Sequence, residues 1–145
     1  MFEHILVPVD GSSTASQAIE KAVGIAKAFQ SAVTIIYVID PYAFSGMGTD
    51  FSYGQAEYLG AATAEAHEAI EMAKQIFQAN NVAVTASVVE GHAIYRGILE
   101  TAESVGADLV VMGSHGRRGL EKLVLGSVTA QVLSHAHLPV LVVRE

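Results

Sequence analysis

The sequence predicts an α/β domain: an open, twisted parallel sheet in three layers, with helices on both faces. Three observations carry that expectation. Short runs rich in valine, isoleucine and leucine alternate with segments whose apolar residues recur at helical spacing. The runs are apolar almost continuously rather than at every second residue, as strands covered on both faces are. The glycine-rich and polar turns follow strands, at the end where open α/β sheets bind ligands.

Taken in order, Glu3 to Val9 reads as the first strand, with Pro8 at its C-terminal end because proline cannot donate to a ladder. Asp10 falls just beyond that end. Ser13 to Phe29 has apolar residues at 15, 18, 19, 22, 25, 26 and 29, a helical stripe, with Ser12, Ser13 or Thr14 as N-cap and a capping box open to Thr14 and Gln17. Ala32 to Ile39 is a second strand, closed by Asp40-Pro41. Positions 42–54 mix glycine, serine and aromatic residues and read as an irregular, lid-like loop. Its aromatics could cover a ligand or pin the loop to the body.

From about Glu57 to Ala79 a second stripe predicts a helix, with Glu65, Glu68, Glu71 and His67 on its solvated side. Asn80-Asn81 ends it. Val82 to Val89 alternates more weakly and fits an edge strand. A helix over about Ala93 to Ser104, stopping near Gly106, leads to a strand from Ala107 to Met112. After the glycine-rich segment Gly113 to Ser127 come a helix from Val128 to His135 and a last strand from Pro139 to Val143. Regular alternation implies right-handed crossovers onto one sheet. A Rossmann-like or flavodoxin-like order would set the first strand centrally, so that Asp10 and the 113–127 segment face one crevice. Neither a linker nor a repeat interrupts the chain, and residues 1–145 read as one domain.

Composition narrows the function. A net charge of −7 disfavours nucleic acid and anionic membranes, which need clustered positive charge. No apolar run approaches the ~20 residues of a membrane span, and no secretory segment opens the chain. The chain has no cysteine, so neither disulfide nor thiolate chemistry is available. A cytoplasmic setting is the resulting expectation. His4, His92, His135 and His137 show no metal-ligand spacing.

The segment after the fourth strand carries the chemistry. Its glycines let backbone approach a ligand, and Gly126-Ser127 opens a helix whose free N–H groups and dipole suit phosphate. The P-loop ending Gly-Lys-Ser/Thr is absent, and the first turn, Asp10-Gly-Ser-Ser, is not the dinucleotide fingerprint. What stands there is Gly113-x-x-Gly116, nine residues (117–125), then Gly126-Ser127.

That pattern, G-x2-G-x9-G-S/T, resembles the nucleotide-binding motif of the universal stress protein family. The likeness extends to Ile5-Leu-Val-Pro-Val-Asp-Gly-Ser12, Gly106-Ala-Asp-Leu-Val-Val-Met-Gly113 and Leu138-Pro-Val-Leu-Val-Val-Arg144, and so spans the chain. The resemblance implies strand order 3-2-1-4-5 with two helices on each face, as in adenine nucleotide alpha hydrolase-like folds. It also implies homodimers and a site for ATP, with AMP or ADP as variants and Mg²⁺ on the phosphates. Gly113, Gly116, Gly126 and Ser127 then match the phosphate and ribose motif, with Val128 and Thr129 adding contacts at the helix start. Asp10 would stand near the ribose or a phosphate-bound Mg²⁺. Pro8, Val9, Val38 and Ile39, with Met112 nearby, resemble an adenine-pocket wall.

Other residues keep two readings. Asp10 could instead cap the first helix, and Ser127 could serve only the helix start. His115 holds a variable position inside the motif. Arg117 and Arg118 either reach a terminal phosphate or stay solvated. Hydrolysis would need a positioned base and charge stabilisation at the γ-phosphate, and no motif assigns that work to His115, Arg117 or Arg118. The expectation is therefore a nucleotide-binding regulatory module acting on dimer or client contacts. A slow ATPase or phosphotransferase at the same site and a ligand-free structural dimer are its rivals. The last strand, Leu138 to Val143, is apolar on both faces and would be an exposed edge in this order, which invites a partner chain, with higher oligomers open. The client is not legible.

Overall fold

A computed structural model describes residues 1–41, 51–116 and 125–144. The elements alternate as expected: β1 (His4–Pro8), α1 (Ser13–Phe29), β2 (Ala32–Ile39), α2 (Phe51–Ala79), β3 (Val84–Glu90), α3 (Ile94–Val105), β4 (Leu109–Gly113), α4 (Ser127–His135) and β5 (Val140–Val143). The sheet runs β3-β2-β1-β4-β5, and each neighbouring pair is parallel. Crossovers proceed outward from β1 in both directions, so the chain reverses its winding between β1 and β4.

Why the strands read as continuous apolar runs is visible in the pleat. Ile5 and Val7 point into one core layer with α1 and α2, where Ile19, Ala22, Ile70 and Phe77 meet them. Leu6, between them, points into the other layer with Ile98 and Ala102 of α3 and Val132 of α4. All three strand residues are fully buried. Each such side chain contributes about 1.5–3 kcal/mol relative to exposure, and β1 collects that gain on both faces. β3, at one edge, shows the alternating half-buried pattern its sequence suggested.

Several boundaries differ from expectation, β4 for instance running Leu109–Gly113 rather than Ala107 to Met112, and two differences have a visible cause. α2 begins at Phe51, inside the segment that composition assigns to a loop; the remainder of that loop, 42–50, lies outside the described residues. Gly54 and Gly60 sit within the helix with open space around them, so each only lowers helix propensity, by about 1 kcal/mol, without breaking the winding. β3 starts at Val84 rather than Val82, because Val82 still serves the end of α2: its N–H reaches the Phe77 carbonyl at 3.0 Å and its side chain is buried in the core. Gln30 and Asn81 turn the chain through left-handed conformations after α1 and α2, and Gly106 does so after α3.

At the amino edge of the sheet, Asp108 clips strands together by accepting the N–H groups of Glu3 (2.9 Å) and His4 (3.1 Å). Burial acts to raise its carboxyl, but these backbone donors outweigh burial and hold it below the ordinary carboxylate value. This edge is structural. The chemistry collects at the other.

Candidate functional site at the carboxyl edge of the sheet

β1 ends at Pro8, as a residue without an N–H should, and Val9 is still tied to the sheet by its N–H on the Ile36 carbonyl at 2.8 Å. Gly11 then takes φ +81°, a conformation that glycine adopts without a Cβ penalty. This bend lets Asp10 Oδ1 accept the Ser12 N–H at 2.9 Å, while Ser12 Oγ caps α1 by accepting from Ala15 N at 3.2 Å. Ser12 is thus the cap among the three candidates. The Thr14–Gln17 capping box is not formed, because the Thr14 hydroxyl faces another partner: it donates to the His115 carbonyl at 2.5 Å.

The end of β4 is held from every side. The Gly113 carbonyl accepts from Thr129 Oγ1 at 2.9 Å. The Ser114 N–H donates to the Val143 carbonyl of β5 at 2.9 Å, and the Ser114 carbonyl accepts from Gly126 N at 2.8 Å. That last bond closes the loop, bringing Gly126 onto residues 114–116. Space there is so tight that a Cβ on Gly126 would lie 3.3 Å from the Ser114 oxygen and His115 Cα, and 3.5 Å from Gly116 N. A Cβ on Gly113 would stand 2.5 Å from Thr14 Oγ1, and one on Gly116 3.0 Å from Asp10 Oδ2. Close approach therefore requires glycine at 113, while at 116 and 126 a side chain would have to push its neighbours by a few tenths of an ångström, Asp10 being the neighbour at 116.

α4 starts at Ser127 with Gly126 as N-cap, and among the described residues no side chain caps it. Gly126 at its start packs on Gly116, and Gly116 in turn faces Asp10 Oδ2. His115 adds an unusual feature. Its Nδ1 lies 2.9 Å from Ser114 Oγ, while its Nε2 is buried without a hydrogen-bond partner among the described residues. A buried ring nitrogen left unpaired costs roughly 1–3 kcal/mol, so a ligand or loop atom that meets it gains accordingly. A helix start, a glycine cradle and an orphaned ring nitrogen suit an anion. The neighbouring carboxylate suits sugar hydroxyls or a cation on that anion. Among the described residues, no three His, Asp or Glu side chains gather to hold a metal alone.

The structure brings Asp10 against Gly116, Gly126 onto residues 114–116 and the Thr129 hydroxyl onto Gly113, while Val9 is buried in the core beneath α1 and Val128 packs against the opposite core layer. Thr129 is buried, and its hydroxyl is engaged by Gly113. Val38 and Met112 belong to the core layer under α3 and α4, and Gly97 is pressed so closely on Val38 that an added Cβ would lie 2.7 Å from its Cγ1. Ile39 is buried too, its carbonyl accepting the Gly91 N–H at 2.9 Å. Arg117 and Arg118 lie outside the described residues. Thr14 is the participant that sequence reasoning treated only as a cap. No local signal marks it, since its partner is 101 residues away.

Comparison with known proteins adds four findings. A family model described as "Universal stress protein family" matches residues 1–144. The chain is 37% identical over 145 residues to the universal stress protein MJ0531 of Methanocaldococcus jannaschii, spanning 100% of this chain and 84% of that protein. Among solved structures, MJ0577 of the same organism superposes with a TM-score of 0.86 at 30% identity, covering 100% of this chain and 97% of that one. A universal stress protein solved in complex with cAMP superposes with a TM-score of 0.70 at 25% identity, covering 99% and 97%.

Proposed function

Because the chain belongs to the universal stress protein family, we propose that it is an ATP-binding regulatory protein whose nucleotide state tunes dimer or client contacts in a stress response. One observation carries the proposal: α4 opens on an uncapped glycine that is docked against the 114–116 backbone, with Asp10 facing the same cradle. In this reading Gly113, Gly116, Gly126 and the N–H groups of Ser127 and Val128 hold phosphate. Asp10 takes ribose hydroxyls or Mg²⁺ on the phosphates, and His115 Nε2 meets a polar atom of the ligand. Pro8 and Val9 border the base, with Val38, Ile39 and Met112 shaping the floor beneath. Arg117 is assigned to the phosphate end. That a universal stress protein similar to this chain was solved in complex with cAMP supports an adenine nucleotide as the class of ligand.

Regulation follows from a connection at Ser114. This residue bonds Gly126 through its carbonyl and Val143 of β5 through its N–H. β5 closes the sheet order, and Leu141 on it is 39% exposed. We assign that edge, Leu138 to Val143, to a homodimer contact, which places the loop one hydrogen bond from the interface. Cytoplasmic residence fits a chain without cysteine.

Protein purified without added nucleotide, then denatured and chromatographed, should release adenine nucleotide. Titration of stripped protein with ATP, ADP and AMP ranks the three. A stripped protein that binds none of them overturns the reading. Steady-state release of phosphate that disappears in Asp10→Asn would instead establish a slow ATPase at this site.

A further inference from the structure

Thr14 sits in the first turn of α1, is 3% exposed, and is far in sequence from the glycine segment. With Ser12 already capping the helix, its hydroxyl is free to leave its own helix, and it crosses to the His115 carbonyl at 2.5 Å. Thr14 Oγ1 also lies 3.4 Å from Ser12 Oγ, and it presses on Gly113, whose hypothetical Cβ would lie 2.5 Å from Thr14 Oγ1 and 2.8 Å from Thr14 C and Cβ. This one side chain therefore touches both the start and the far end of the Gly113–Gly116 bend.

The consequence lies in the peptide planes. A trans peptide points its C=O and N–H in opposite directions, so holding a carbonyl aims the N–H of the next residue. Three successive carbonyls are held here: Gly113 by Thr129, Ser114 by Gly126 and His115 by Thr14. The first plane is pinned at both ends, because the Ser114 N–H reaches Val143. The third is pinned at its oxygen by Thr14, and its other end belongs to a glycine with no side chain to restrict it. Without the Thr14 hydroxyl that plane has no other anchor among the described hydrogen bonds.

We propose that Thr14 is a positioning residue for nucleotide binding: by gripping the His115 carbonyl it aims the Gly116 N–H into the phosphate cradle. The proposal rests on the function proposed above and adds a residue from the first strand–helix turn to the control of the fourth. Its contribution should be that of one oriented hydrogen bond, roughly three- to tenfold in affinity.

The test pairs Thr14→Val, which keeps the branched shape and removes the donor, with Thr14→Ser, which keeps the donor. Two readouts are taken on full-length protein: the ¹⁵N order parameter of Gly116 without ligand, and the Kd for Mg·ATP. Thr14→Val should drop Gly116 towards the flexible range, below about 0.6, and weaken Mg·ATP roughly three- to tenfold. Thr14→Ser should stay within about twofold of the parent in affinity and keep Gly116 ordered. If both variants fall together, packing is the cause and the proposal is wrong. Unchanged order and affinity in Thr14→Val also overturn it. Should the parent bind no nucleotide, the functional reading fails, and the order parameter alone decides whether Thr14 positions the loop.

Discussion

The two strand–helix turns that meet at the carboxyl edge of the sheet dispose their polar groups in opposite ways. The turn after β1 is satisfied from within: Asp10 Oδ1 takes the Ser12 N–H, and Ser12 Oγ takes that of Ala15. The turn after β4 turns its carbonyls inward, onto Thr129, Gly126 and Thr14, and leaves α4 without a side-chain cap. Glycine serves different ends in the two. Gly11 supplies a positive φ with open space around it, whereas Gly113 and Gly126 supply close approach. α3 also lacks a side-chain cap, so an uncapped helix alone does not make a cradle. At α4, among the described residues, a helix start without a side-chain cap coincides with a compact glycine backbone, a buried imidazole nitrogen without a partner and a carboxylate facing Gly116. The difference teaches that the first turn is a finished structural joint, whereas the fourth, among the described residues, leaves a buried ring nitrogen unpaired, which the nucleotide proposed above would meet.

The largest effect expected from breaking this contrast is Gly113→Ala. Its methyl would press on the Thr14 backbone and hydroxyl at distances that force the turns apart. Overpacking of this kind costs about 3 kcal/mol, equivalent to about 6–12 °C in Tm for a chain of this size, and nucleotide binding should be lost with it. A stable, ATP-binding Gly113→Ala protein would show that the turns are not interlocked. Gly126→Ala should separate binding from stability. Its methyl needs a shift of only a few tenths of an ångström, yet it would stand 3.5 Å from Gly116 N, beside the donors assigned to phosphate. Tm should move by no more than a few degrees while Mg·ATP affinity falls about tenfold or more, as for one lost charge-assisted hydrogen bond. Calorimetry and titration on the same sample decide it.

Ser12→Ala sharpens the contrast from the other side. It removes the cap of the self-satisfied turn, costing about 1 kcal/mol and about 2–4 °C in Tm. Affinity for Mg·ATP should stay within about twofold, because the Asp10–Ser12 bond uses the backbone N–H and survives the substitution. A parallel loss of binding would mean that the first turn is also part of the cradle.

The alternation of elements was legible because each strand is buried on both faces and so carries an unbroken apolar run, as Ile5-Leu6-Val7 does. The glycine spacing likewise exposed the cradle, since close approach leaves few substitutes for glycine. Three things were hidden. The first turns of α2 contain glycine and serine whose low helix propensity is overridden, so composition suggested a loop. Thr14 looked like one more capping hydroxyl, because its partner is distant in sequence and near only in the fold. The close packing of Gly97 on Val38, a residue that resembles part of an adenine-pocket wall, depends on how α3 docks, which no local pattern encodes.

The smallest effect should come from the opposite edge, where Asp108 provides the control for all of these. Its carboxylate accepts two backbone N–H groups, Glu3 and His4, and is held below its ordinary value despite burial acting the other way. A carboxyl lowered in the folded state adds stability above its unfolded value of about 3.9, and that stability disappears as pH falls through the folded value. Asp108→Asn should therefore lower Tm modestly at pH 7, by about 2–4 °C if one charge-assisted contact is weakened. The gap between variant and parent should narrow as pH falls through the lowered folded value of the carboxyl, below which both carry a neutral side chain. Affinity for Mg·ATP at pH 7 should be unaffected, because this clip joins β1 and β4 at the end away from Gly113. A gap that persists in acid would assign the loss to shape rather than charge. A loss of nucleotide affinity would show that the strand pair transmits strain along its length, and the two edges would then have to be treated as one device.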